Sequence, residues 1–264
     1  MKYIDIHCHL DFSDYGSELP SVLARMKERE VGAITIGTDL SSSERAVAIA
    51  EENENIWACI GVHPVDNERG QRVSFSENDF EKLVSNPKVV AIGECGLDWF
   101  RISTELLDQE KERQIEVFKR QIEFALKHNK PLMLHCRESY DDALDILTLY
   151  KKEAGEKLRG NAHFFAGSVD QARKFLDLGF TMSFTGVITF THDYDEVIRF
   201  IPLNSIMSET DAPFVAPVPY RGKRNEPAFV AEVVKRIAEI RAEDEDIVSQ
   251  QLLKNAQKMF GLSF

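Results

Sequence analysis

Eight short apolar runs, each followed by a stretch of helical periodicity, set the limits on what this chain can become. The runs are Tyr3 to Leu10, Val31 to Gly37, Ile56 to Val62, Lys88 to Glu94, Pro131 to His135, Gly160 to Phe164, Phe180 to Phe184 and Ser205 to Ser208. Apolar residues at i, i+4, i+7 and i+8, such as Phe118, Ile122, Ala125 and Leu126, mark the intervening segments as amphipathic helices. The longest of these runs from Thr104 to Asn129, and two helices, Ala228 to Arg241 and Asp246 to Phe260, close the chain. Serines 41–43 and Ser76 are cap candidates, and Ser168 starts a helix reaching Leu178. Eight such units fit a closed parallel barrel, a TIM (β/α)8 fold of the α/β class, better than an open doubly wound sheet. No linker or low-complexity stretch interrupts residues 1–264, and neither a Gly-x-Gly-x-x-Gly nor a GxxxxGK[ST] loop is present, so one barrel domain is expected.

The first run carries His7 and His9 near its end. Strand alternation puts these imidazoles on one face with Asp5, and Ile4, Ile6 and Cys8 on the other. Two side chains that bind transition metals at neutral pH are thereby aimed at one point.

Composition narrows the partners. A net charge of −12 argues against a broad basic surface for duplex nucleic acid, so any phosphate contact must be local. The N-terminal residues hold no apolar stretch of signal-peptide or membrane-span length, which predicts a cytoplasmic protein with no membrane association. Four cysteines without CxxC spacing suggest neither a disulfide scaffold nor a thiolate metal site. Cys8, Cys95 and Cys136 each neighbour a candidate ligand and so face the helices instead.

In such barrels the active site lies at the C-terminal ends of the strands. His7, His9, His63, Glu94, His135, His163 and Asp211 all fall there, taking in five of the seven histidines. These are more donors than one tetrahedral ion needs. Two divalent ions, of Mg, Mn, Zn or Ni, about 3.5–4 Å apart and bridged by Glu94, would use them and lower the pKa of a bound water. Asp211 could ligate one ion and take the proton from that water. The loop Pro219 to Pro227 gathers Arg221, Lys223 and Arg224 after the eighth strand, where barrels often bind phosphate, unless it is simply a solvated run. Arg137 could add a bidentate fork. Trp99 and Phe100 could stack on bases or pack onto the rim.

With these residues in place, the chain resembles the TatD family of metal-dependent hydrolases from end to end. The matching stretches are Asp5-Ile6-His7-Cys8-His9, Gly61-Val62-His63-Pro64, Ile92 to Asp98, Leu134 to Glu138, Ala162-His163-Phe164, Glu209 to Pro213 and Arg224 to Pro227. The resemblance implies a metallo-dependent hydrolase barrel in which His7, His9, Glu94, His135, His163 and Asp211 bind up to two divalent ions. It also implies hydrolysis of phosphodiester bonds, as a 3′-to-5′ exonuclease on single-stranded DNA, with Glu94 and Asp211 catalytic. His63 and Arg137 would contact substrate phosphate, joined by Arg221 and Arg224 from the basic loop, and Glu209 would support or ligate the metals. A monomer is expected. The competing expectation is a metal-dependent ester or amide hydrolase, such as a D-aminoacyl-tRNA deacylase, because the same activated water attacks a carbonyl as readily as a phosphorus centre.

Overall fold

The computed structural model describes residues 1–65, 74–100, 102 and 105–264. Its eight parallel strands pair in sequential order, β1 (Tyr3–Cys8), β2 (Val31–Ile36), β3 (Ile56–Ile60), β4 (Val89–Asp98), β5 (Leu132–Arg137), β6 (Gly160–Ala162), β7 (Phe180–Phe184) and β8 (Ile206–Ser208). The ends meet where Ser208 Oγ donates to the Ile4 carbonyl at 2.9 Å and a parallel bridge joins Cys8 to Ala212. Helices α1 (Leu19–Glu28), α2 (Leu40–Glu52), α3 (Glu77–Val84), α4 (Leu107–Lys127), α5 (Tyr140–Ala154), α6 (Val169–Asp177), α7 (Asp195–Phe200), α8 (Val230–Arg241) and α9 (Glu245–Phe260) accompany them. This is the TIM barrel that the alternation predicts. Among the described residues no helix is long and apolar enough to cross a membrane.

Alternate strand residues supply two apolar layers. Ile4, Ile6, Ile34, Ile36, Cys59, Val90 and Met207 fill the barrel, closed at its N-terminal end by Trp57, Phe260 and Leu262. The other face, including Cys8, Cys95 and Leu134, packs under helix residues such as Phe118, Ile122, Leu147 and Val234. All four cysteines are free and buried, as expected of packing residues.

Three local details depart from the sequence reading. The cap of α2 is Asp39, whose carboxylate accepts the Ser42 N–H at 2.7 Å while Ser42 Oγ answers the Asp39 N–H at 2.8 Å, so the serines lie inside the helix. A carboxylate just ahead of Leu40 reaches the free N–H groups first. Ser76 occupies the N-cap of α3 without a side-chain bond, whereas Ser168 and Gln171 do form a reciprocal box on α6. The predicted start of α4 at Thr104 lies outside the described residues. Finally, β4 continues past Glu94 to Asp98, because Gly93 and Gly96 adopt φ of 152° and 144°. A Cβ on Gly96 would stand 2.0 Å from the His135 carbonyl, so only glycine lets β4 run this close to β5.

Candidate metal centre

A register shift between Asp5 and Cys8 against β2 breaks the alternation expected for β1. Ile4 and Ile6 lie in the inner layer and Cys8 in the outer one, so the extra residue turns His7 inward directly after Ile6, with His9 following. Asp5 therefore does not share their face. It is fully buried, accepts the Thr210 N–H at 2.9 Å and the Thr210 hydroxyl, and burial pushes its carboxyl well above the usual range. This clasp ties β1 to the segment after β8. Asp211 N–H donates to the His7 carbonyl at 2.9 Å and His9 N–H to the Ala212 carbonyl at 2.8 Å, which brings Asp211 alongside the two imidazoles.

Glu94 stands at the centre, with one oxygen toward each group of histidines. Its Oε2 lies 3.4 Å from His7 Nε2 and 3.9 Å from His9 Nε2. Its Oε1 lies 2.8 Å from both His135 Nδ1 and His163 Nε2, and 3.4 Å from His63 Nε2. Asp211 Oδ1 completes the first group, 3.6 Å from His7 Nε2 and 3.5 Å from His9 Nε2. The rings of His7 and His163 stack with centroids 3.8 Å apart.

The outward nitrogens decide which atoms are left for a ligand. His9 Nδ1 is 3.1 Å from the Ile36 carbonyl, His135 Nε2 is 3.0 Å from Asp98 Oδ2, and His163 Nδ1 is 3.4 Å from Glu209 Oε1. Each faces an acceptor on its outward side, within hydrogen-bond reach for His9 and His135 and at a longer contact for His163, while its other nitrogen faces Glu94. His63 has the opposite polarity, because its Nδ1 accepts the Val65 N–H at 3.2 Å. Its Nε2 must then carry the proton in the neutral ring, facing the cavity as a donor.

Glu209 is itself held by the Phe164 N–H at 2.7 Å and the Ser183 hydroxyl at 2.5 Å. Asp98 is gripped by Gln114, which donates to its carbonyl at 3.1 Å and accepts its N–H at 2.8 Å.

Burial alone would raise the Glu94 carboxyl, yet His163, His63 and His7, with the His135 hydrogen bond, hold it well below the usual carboxylate range. Asp211 and Asp98 are likewise low, burial being outweighed by His9 and His135 respectively. Burial lowers His7 and His63. In His163, His135 and His9 the facing carboxylates overcome burial and raise the ring.

His7 is fully buried, yet neither of its ring nitrogens has a hydrogen-bond partner, and His163 Nδ1 is unpaired too. Leaving such atoms unmatched costs about 1–3 kcal/mol each, so the donor set fits a cation better than it fits itself. Among the described residues, ligand atoms within 4.8 Å of one another form three sets: His7, His9 and Asp211; His7, His163 and Glu209; and His63, Glu94 and His135. Imidazole with carboxylate suits divalent Zn, Mn, Fe or Ni.

The structure thus gathers His7, His9, His63, Glu94, His135, His163 and Asp211 at one cavity of about 740 Å³, with Arg137 on its wall. Arg221 and Arg224 are not among its lining residues. Arg224 donates to the Asp14 carbonyl, Glu18 and Glu226, and Arg221 lies 3.8 Å over the Phe190 ring. Carboxylates thus flank Arg224, whereas Arg221 packs on a ring as Arg137 does on Phe100. Trp99 and Phe100 are also committed, Trp99 Nε1 to Asp142 at 2.7 Å and the Phe100 ring to the Arg137 guanidinium at 3.6 Å. Sequence reasoning missed Asp98 as a site residue. Its spacing of four from Glu94 on one strand, which repeats the face, was the available signal.

Imidazoles and carboxylates converging at the C-terminal mouth of a (β/α)8 barrel define the metal-dependent hydrolase class. The chain belongs to the TatD related DNase family, whose sequence profile matches residues 4–261. It is 36% identical over 265 residues to the uncharacterized metal-dependent hydrolase YabD of Bacillus subtilis, covering 98% of this chain and 99% of that one. It is 33% identical to the 3′-5′ ssDNA/RNA exonuclease TatD of Enterobacter lignolyticus, covering 98% and 99%. The crystal structure of YJJV, a TatD homologue from Escherichia coli, superposes with a TM-score of 0.88 at 29% identity, covering 99% of each chain.

Proposed function

We propose that the protein is a two-metal phosphodiesterase that removes nucleotides from the 3′ end of single-stranded DNA. The observation that carries this reading is the placement of Glu94, with Oε2 toward His7 and His9 and Oε1 toward His135 and His163. A carboxylate shared in this way suits two cations, one held with His7, His9 and Asp211 and the other with His135 and His163. Divalent ions held there would supply Lewis acidity and lower the pKa of water toward neutrality.

The chain's own residues do the rest. Asp211, kept ionised by His9 and His7 against the effect of burial, accepts the proton of the attacking water. Arg137 on the cavity wall presents a planar fork to phosphate oxygens. His63, with its proton fixed on Nε2, offers a neutral hydrogen bond to the same group. The relative named as a single-strand exonuclease supports phosphodiester over carboxyl ester as the substrate.

The test is metal-free protein reloaded with Mg, Mn or Zn and given an end-labelled single strand beside a D-aminoacyl ester. Mononucleotides released from the 3′ end are expected. Turnover of the ester alone would overturn the reading.

A further inference from the structure

Phe214 is half exposed, at 50%, although it lines the mouth of the cavity three residues after Asp211. An exposed ring is ordinary on a mobile loop, but this one stands on fixed backbone. Its N–H donates to the Asp211 carbonyl at 2.9 Å, and its own carbonyl accepts Asn225 Nδ2 at 2.6 Å. Asn225 is fully buried and spends the same amide on the Thr210 carbonyl at 2.9 Å, so one side chain grips both sides of Asp211. Val215, the next residue, has φ of 45°, a left-handed conformation that a β-branched residue rarely adopts. Its carbonyl would lie 2.5 Å from a Cβ on Gly186, so a glycine there is required to admit it. Left-handed residues of this kind cluster at functional sites, and here Asp211 and Val215 bracket Phe214.

The ring's neighbours define what it can receive. Phe12 meets it edge to face, with centroids 6.0 Å apart at 80°, and Phe12 in turn stacks on the His9 ring at 4.5 Å. The apolar wall of Phe12, Phe214 and Val215 therefore begins at a metal-site imidazole and rises to solvent. Arg137 supplies a cation to the same cavity. A ligand matching this pattern has an anionic group for the centre and Arg137, joined to a flat apolar face. A nucleotide has both. Of the rings lining the cavity, Phe12, Phe164, Tyr194 and Phe214, only Phe214 is exposed enough to offer a face, and Trp99 and Phe100 outside it are engaged by Asp142 and Arg137.

We propose that Phe214, backed by Phe12, forms a stacking subsite for a nucleobase flanking the scissile phosphate. This deepens the phosphodiesterase reading and rests on it for the position of the phosphate. Stacking on one ring is sequence-tolerant, since every base has a π face, so the subsite selects for the presence of a base and not for its identity.

The experiment compares an intact single strand with two others, in which tetrahydrofuran replaces either the last or the next-to-last 3′ base. Each is made with oxygen linkages for kcat/KM and with cleavage-resistant phosphorothioate linkages for Kd, using metal-loaded wild type, Phe214→Ala and Phe214→Trp. Wild type is expected to prefer the intact strand about ten- to a hundredfold at one of the two positions. Phe214→Ala should lose that preference while its activity on the abasic strand stays within about twofold, and Phe214→Trp should retain it. Equal losses on both strands in Phe214→Ala, or no preference in wild type at either position, would overturn the subsite. Discrimination in binding without cleavage of the oxygen-linked strand would sink the phosphodiesterase reading and leave the subsite standing.

Discussion

At the N-terminal end of the barrel Trp57, Phe260 and Leu262 close the interior, whereas at the C-terminal end the same sheet turns His7, Glu94, His135 and His163 toward one point. Strand residues such as Ile4 and Val90, near the start of β1 and β4, belong to the apolar end, and their packing contributes stability without chemistry. The mouth has the opposite character. Its histidines are buried with unpaired nitrogens, its carboxylates are held ionised against burial, and β1 and β4 carry register shifts that re-aim their side chains. One end secures the fold, and the other gathers donor atoms whose chemistry suits a cation.

The largest expected difference between the ends comes from Glu94. Glu94→Gln keeps the shape but removes the charge that faces both imidazole groups, and hydrolysis should fall at least about a thousandfold, or about 4 kcal/mol in the barrier. Metal content per chain, measured on the dialysed variant, should fall with it. Full metal content and activity near that of wild type would show that the two groups do not depend on a shared carboxylate.

Phe260→Ala should do the reverse. Removing a nearly buried ring from the plug costs about 3–5 kcal/mol of stability, read as a lowered denaturant midpoint. Its kcat/KM per folded molecule should stay within about twofold of wild type. A matching loss of activity would mean that the plug positions the mouth, and the separation of the two ends would fail.

How far each end could be read in advance follows from the same contrast. The strands and their order were legible because each apolar run is short and each helix periodic, and the convergent histidines because every one ends such a run. The face of Asp5 relative to the two histidines was not, since a single extra residue in β1 leaves no trace in composition or periodicity yet puts the residues before it on the opposite alternation from those after it. Asp98 escaped because the glycines of β4 look like a strand end, while in the fold they permit close approach to β5. The cap of α2 was obscured by the run of serines 41–43, which lies directly after the capping carboxylate of Asp39.

The basic loop after β8 sharpens the comparison last and most gently, because Arg224 reads as a candidate substrate ligand in sequence and ties the loop to its neighbours in the fold. Arg224 is flanked by Glu18 at 2.8 Å and Glu226 at 3.2 Å, and Glu226 is also held bidentately by Arg25 at 2.7 and 2.8 Å. This network fastens the loop to α1 and its approach, away from the cavity that Arg137 lines. Arg224→Ala should therefore change KM for a single strand by less than about twofold, with a stability loss of about 0–1 kcal/mol typical of a partly exposed ion pair. Arg137→Ala should raise KM about tenfold and flatten its dependence on salt, as expected when one phosphate contact is lost. If Arg224→Ala instead gave the larger and more salt-sensitive rise, the ion pairs with Glu18 and Glu226 would have to open when substrate binds, and the loop would belong to the mouth after all.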